Sequence, residues 1–101
     1  MARPRVYVTR QIPQAGIDLL TETCHVEVNP EDRPLAQEEL LSKVQDRQGV
    51  IGLLTDKIDA EFFDAAKAIK GYANYAVGFD NIDLEEATAR RIPVTNTPDV
   101  L

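Results

Sequence analysis

Apolar residues recur along the chain in two alternating rhythms. Val6-Tyr7-Val8 is a short β-rich run, followed by a stretch in which Ile12, Ile17, Leu19 and Leu20 can share one helix face, with Pro13 suited to the first turn. His25-Val26-Glu27-Val28 reads as a second strand, and the breakers from Asn29 to Pro34 end it. Leu35, Leu40, Leu41 and Val44 return to helical spacing and predict a helix to about Gln48, ended by Gly49. Val50-Ile51-Gly52-Leu53-Leu54 has no polar residue on either face, as a central strand covered by helices on both sides requires, and it is predicted to be the most buried strand. Asp59 caps a helix whose apolar face is Phe62, Phe63, Ala66 and Ile69, with Glu61 in its first turn. Tyr72 to Val77 is a fourth strand broken by Gly78-Phe79-Asp80-Asn81, Asp83 can cap a helix through Arg90, and Ile92 to Thr95 is a fifth.

Strands are therefore expected near residues 5–9, 25–28, 50–54, 71–77 and 92–96, separated by four helices and short loops. That alternation predicts a single α/β domain over residues 1–101, a flavodoxin-like doubly wound five-stranded parallel sheet of strand order 2-1-3-4-5. Ligands of such sheets lie outside the carboxyl ends of the strands. The informative loops are Thr9 to Pro13, Asn29 to Pro34, Leu54 to Ile58, Val77 to Ile82 and Asn96 to Leu101.

Composition narrows the partners. Apolar residues are 44% and charged residues 28% of the chain, the range of a packed globular domain. Seventeen acids against eleven bases give a net charge of −6 without a concentrated basic surface, which argues against nucleic acid or an anionic membrane. The single Cys24, read as a buried thiol at a strand entrance, allows no internal disulfide, and with the lone His25 it cannot build a Cys/His metal cluster. There is no signal-peptide pattern and no apolar run of membrane-spanning length, so a cytoplasmic setting is expected.

Most loops lack chemistry. Neither a P-loop nor a G-x-G-x-x-G occurs anywhere in the sequence, and Pro13 removes a backbone donor from the first loop, so no nucleotide phosphate site is expected. Asp56 follows the third strand, where a phospho-accepting aspartate would lie, but the acids that would hold magnesium after the first strand are replaced by Thr9-Arg10-Gln11. Asp56 is accordingly read as a solvated loop residue beside Lys57. His25, at the N-terminal end of a strand, is on the wrong edge for catalysis and is read as structural, and no catalytic residue is assigned. The fourth loop differs: Gly78 at the strand end would let backbone N–H groups face the crevice and suit a small carboxylate. The alternative is an ordinary strand-to-helix turn with Asp80 or Asp83 as the cap.

At this loop the sequence acquires a family signature. The run Ala73-Asn74-Tyr75-Ala76-Val77-Gly78-Phe79-Asp80-Asn81-Ile82-Asp83, then Ala87-Thr88 and Ile92-Pro93-Val94-Thr95-Asn96-Thr97-Pro98-Asp99-Val100-Leu101, closely resembles the D-2-hydroxyacid dehydrogenases, in particular the glyoxylate and hydroxypyruvate reductases. Val6 to Pro13 and Leu53 to Asp59 fit the same branch, so the resemblance spans essentially the whole chain. It implies an NAD(P)-dependent parent acting on a small 2-oxo or 2-hydroxy acid, of which this chain would be the N-terminal, substrate-binding part, cut before the cofactor domain. It further implies that Val77 and Gly78 offer backbone N–H groups to the substrate carboxylate and that Leu53 and Leu54 wall its short tail. The family's catalytic arginine, glutamate and histidine and its NAD(P) site fall after Leu101, so this chain alone is expected to hold no cofactor and to be inactive.

Three residues depart from the family pattern: Arg91 stands where glycine usually ends the helix, Gly71 where an apolar residue begins the fourth strand, and Lys67 in place of proline. A non-glycine residue at positive φ costs roughly 1 kcal/mol. The competing reading is an autonomous flavodoxin-like module that folds and self-associates without catalysis. Under either reading a homodimer is expected, with the arm from Val94 to Leu101 able to cross to a partner.

Overall fold

A computed structural model describes residues 3–31, 33, 35–75 and 79–95. The strands are β1 (Arg5–Val8), β2 (His25–Val28), β3 (Gly49–Gly52), β4 (Gly71–Asn74) and β5 (Val94–Thr95), and the helices α1 (Gln14–Thr21), α2 (Gln37–Lys43), α3 (Ala60–Ala65) and α4 (Leu84–Ala89) alternate with them. Every strand pair is parallel and the order is β2-β1-β3-β4-β5, as the alternating pattern predicts. Ala76, Val77 and Asn96, expected at strand ends, lie outside the described residues.

The register explains which side chains make the core. Glu27, Tyr7, Val50, Tyr72 and Val94 are successive partners across the sheet and share one face. On that face Val50 and Tyr72 join Leu40 and Val44 from the α2 region, Phe62, Phe63 and Ala66 from the α3 region, and Ala87 of α4 in the main hydrophobic cluster. Phe62 is fully buried and meets Phe63 and Tyr72 edge-to-face, with centroids 5.4 and 6.0 Å away. Burying such a side chain stabilises by roughly 1.5–3 kcal/mol.

The opposite face is only partly covered. Leu20 of α1 lies beside Val6 and Gly49 at the margin of an apolar groove that continues over Ile51, Gly71 and Ala73. This corrects two expectations. The most buried strand is β1, not β3, because Val6, Tyr7 and Val8 are covered on both sides whereas Gly49 and Ile51 are only half-buried. Leu19 does not join the inward face of α1: it is 67% exposed, since two positions along from Ile17 a helix has turned to its far side, and only Ile12, Ile17 and Leu20 are half-buried.

Helix α2 ends at Lys43, earlier than predicted, and Gly49 opens β3 instead of closing the helix. The reason is Arg47. A turn from Val44, in which Arg47 N–H donates to the Val44 carbonyl at 3.2 Å, lays the guanidinium 5.6 Å from the centre of the Tyr7 ring, where it pairs with Glu27. The other helix limits follow local chemistry. Asp59 accepts the Phe62 N–H and Asp83 the Glu86 N–H, each at 3.1 Å, so both predicted caps are observed, while Asp80 is an exposed loop residue. Arg91 closes α4 at φ 59°, the left-handed conformation that its replacement of glycine implies. Cys24 is half-buried instead of buried, and His25 opens β2 at the N-terminal edge, exposed.

Candidate functional site at the carboxyl edge of the sheet

Three strands, β1, β3 and β4, bring polar residues to the same edge, at their ends or in the turn that follows. Thr9 and Asn74 are fully buried there, and so is Asp56, at 2% exposure. The expectation of a solvated Asp56 is therefore wrong. The turn after β3, closed by Asp56 N–H donating to the Leu53 carbonyl at 2.9 Å, folds its carboxylate back into the sheet edge. One oxygen, Oδ2, accepts the Thr9 hydroxyl and the Leu53 N–H, the latter at 3.0 Å. The other, Oδ1, is buried without a hydrogen-bond partner among the described residues.

The neighbouring groups extend this into a network. Tyr72 Oη donates to Asn74 Oδ1 at 2.9 Å, and Asn74 Nδ2 donates to Asn81 Oδ1 at 3.0 Å. Asn81 Nδ2 donates in turn to the Leu53 carbonyl at 3.1 Å and the Asp56 carbonyl at 2.7 Å. Burial, and then the nearby Asp56 carboxylate, push the Tyr72 phenol far above its usual range. Gly52 makes room for this arrangement: a Cβ there would run into Tyr72 Oη and stand 2.9 Å from Asp56 Oδ2, closer than atoms approach.

Two loops are thereby bound together. Beyond β3 and β4 the pairing continues as an isolated parallel bridge between Ile58 and Ile82, with Ile58 N–H donating to the Asn81 carbonyl at 2.9 Å and Asp83 N–H to the Ile58 carbonyl at 2.8 Å. At the root of the second loop Tyr75 N–H donates to the Gly52 carbonyl at 2.7 Å. The loops border an open cleft of about 420 Å³ whose lining includes Leu54, Asp56, Ile58, Asp80 and Asn81.

Of the residues singled out in the sequence, Leu54 is 52% exposed on the lining of this cleft, and Leu53 is half-buried with both its backbone polar groups engaged, by Asp56 and by Asn81. Val77 and Gly78 lie outside the described residues, in the segment between Tyr75 and Phe79. Sequence reasoning missed Thr9, Asp56, Asn74 and Asn81. The available signal was their shared position, each lying at or within a few residues of the end of an apolar run at one edge of a parallel sheet.

Two of the cleft's acids, Asp59 and Asp83, serve as helix caps, and Lys57 Nζ stands 3.6 Å from Asp59. Among the described residues no group of three or more His, Cys, Asp or Glu is placed to hold a metal ion, and no helix is long and apolar enough to cross a membrane. In the loop after β1 the Thr9 hydroxyl is engaged by Asp56, and Pro13, which has no N–H, precedes α1.

Comparison with known proteins agrees with this architecture. Residues 6–101 match the family described as D-isomer specific 2-hydroxyacid dehydrogenase, catalytic domain. The chain is 56% identical over 99 residues to the glyoxylate reductase of Thermococcus kodakarensis, covering 98% of this chain and 30% of that protein. A protein of Thermus thermophilus superposes with a TM-score of 0.85 at 44% identity, over 96% of this chain and 31% of that one. The NADPH-dependent glyoxylate/hydroxypyruvate reductase of Sinorhizobium meliloti, solved with NADP and malonate, superposes with a TM-score of 0.75 at 30% identity, over 99% of this chain and 30% of that one. The chain thus spans about 30% of the length of the curated relatives it matches. With a family match over nearly all its residues and the sheet order that its own pattern demands, the chain belongs to the D-isomer specific 2-hydroxyacid dehydrogenase family.

Proposed function

We propose that residues 1–101 are the substrate-binding lobe of an NAD(P)-dependent glyoxylate/hydroxypyruvate reductase, a single domain that supplies carboxylate contacts to a small 2-oxo or 2-hydroxy acid. Val77 and Gly78 offer backbone N–H groups to the carboxylate, and Leu53 and Leu54 form an apolar wall beside it. The observation that carries this reading is the joining of the two loops containing these four residues, by Asn81 and the Ile58–Ile82 bridge, at the edge where such sheets bind ligands. The glyoxylate reductases among the relatives and the malonate held by the Sinorhizobium enzyme support a small carboxylic acid as the ligand.

In this reading NAD(P)H and the acid-base groups are bound outside these residues, and residues 1–101 alone neither bind the cofactor nor turn over. A cytoplasmic setting and a homodimer belong to the same proposal. The open apolar groove over Ile51 and Ala73 supports self-association, which sedimentation across a range of concentrations would reveal.

The test is a hybrid in which residues 1–101 replace the matching stretch of the Thermococcus kodakarensis glyoxylate reductase. The hybrid should oxidise NAD(P)H with glyoxylate, while residues 1–101 alone should give no saturable response in a reduced-cofactor fluorescence titration. A folded hybrid unable to reduce glyoxylate or hydroxypyruvate would overturn the proposal.

A further inference from the structure

We propose that a second copy of this chain covers the apolar groove behind β3, β4 and β5, laying its helix α1 across the groove with Leu19 inserted. The inference rests on the self-association in the proposed function and names its surface. It is independent of which acid the lobe binds.

A parallel sheet of this kind buries both faces under helices. Among the described residues that cover is unequal. The face of Val50 and Tyr72 packs under side chains from the regions of α2, α3 and α4, whereas on the opposite face α1 is the one helix, and it reaches Val6 and Gly49 through Leu20. Beyond α1 an open groove of about 400 Å³ runs over Ile51, Gly71 and Ala73 to Pro93 and Thr95. Its floor is small as well as apolar. A Cβ placed on Gly71 would meet only the Pro93 carbonyl oxygen, at 3.9 Å, so another helix can approach the sheet closely there.

The same surface carries a knob. Leu19 is 67% exposed, although its neighbour Leu20 is half-buried at the groove margin. A helix turns by about 100° per residue, and it is Leu20, not Ile17, that reaches the groove, so Leu19 lies on the groove side of α1. Ala15, four residues earlier, and Glu22, three residues later, share its stripe, and both are exposed. Knob and hole therefore sit side by side. A two-fold axis between two copies lays each α1 over the other's groove and forms both contacts at once. Each sheet then has two helices on this face, its own and its partner's.

The charges agree with that pairing. Lys70 borders the groove and Glu22 flanks Leu19; both are exposed, and among the described residues neither enters an ion pair. Docking α1 of one copy brings its Glu22 to the Lys70 rim of the other. In a chain of net charge −6, whose copies otherwise repel, this sets unlike charges against each other at the contact.

The experiment is sedimentation equilibrium of residues 1–101 over a roughly hundredfold range of concentration, which should show a monomer–dimer equilibrium. Leu19→Arg, at an exposed position, should raise the dimer Kd about tenfold or more with an unchanged far-UV circular dichroism spectrum. Glu22→Lys and Lys70→Glu should each raise it about threefold at low salt, and the double reversal should recover most of that loss, which a general effect on stability would not do. Ala73→Cys in a Cys24→Ser background should react with a maleimide in the monomer and become protected as the dimer forms. A monomer at every concentration removes the self-association of the proposed function and this inference with it. A dimer indifferent to Leu19→Arg, or charge reversals that do not restore each other, overturns the inference alone. In the glyoxylate-reducing hybrid, protection of Ala73→Cys that is independent of concentration and survives Leu19→Arg would assign the groove to another segment of that protein and overturns the inference as well.

Discussion

Thr9, at the end of β1, donates its hydroxyl to the carboxylate of Asp56, 47 residues further along the chain, in a contact buried from solvent. It binds the loop after β3 to the neighbouring strand. Because Asp56 Oδ1 has no partner among the described residues, Oδ2 carries the hydrogen-bonding requirement of a buried carboxylate. Thr9→Val keeps the shape and removes the donor, so it should destabilise the fold by ~1–3 kcal/mol in urea titration. Thr9→Ser, which retains the hydroxyl, should lose clearly less.

Gly52 and Tyr72 are coupled by crowding. Gly52→Ala places a methyl group against Tyr72 Oη and Asp56 Oδ2 and should cost ~1–3 kcal/mol. Tyr72→Phe removes the first of those obstacles, so the double substitution should be less destabilising than the sum of the two. A double-mutant cycle by chemical denaturation checks this, and strict additivity would show that the clash lies elsewhere.

Arg91 holds φ 59° immediately after α4, where a side chain strains the backbone. Glycine is the family's usual choice at this position in the resemblance drawn from the sequence, and Arg91→Gly should stabilise by ~1 kcal/mol, raising Tm by about 4–8 °C for a domain of this size. Differential scanning calorimetry gives the answer directly.

Tyr72 makes stability fall in strong base. Its phenol is raised in the folded state by burial and by Asp56, while in the unfolded chain it titrates near 10. Folded protein therefore keeps a proton that unfolded chain has lost. The contribution is complete below the unfolded value and declines as pH climbs above it towards the folded value. Unfolding midpoints taken on either side of about pH 10 should drop more steeply for the parent than for Tyr72→Phe.

How much of this was legible in the sequence follows from what each feature depends on. The strands and their order could be read because a run such as Val6-Tyr7-Val8 and a capped segment such as Asp59 to Ala66 declare themselves within a few residues. Capping at Asp59 and Asp83 and the strain at Arg91 were legible for the same reason. Asp56 was not, since its burial is decided by Thr9 and by Gly52 and Tyr72 beside it, groups brought near only by the crossing of β1, β3 and β4. The end of α2 was hidden likewise, because Arg47 is drawn off the helical path by Tyr7 and Glu27, partners distant in sequence. Gly78 was singled out by its place after the fourth apolar run, Val77 and the substrate roles of both entered through family resemblance, and the polar network of Thr9, Asp56, Asn74 and Asn81 emerged only from the packed sheet.

The most direct measurement is a crystal structure of the glyoxylate-reducing hybrid with a small dicarboxylate such as oxalate bound. A carboxylate should lie within about 2.7–3.2 Å of the backbone nitrogens of Val77 and Gly78, with Leu53 and Leu54 alongside it. A ligand seated away from both loops, with Val77 and Gly78 turned to other partners, would contradict the assignment of residues 1–101 as the substrate-binding lobe.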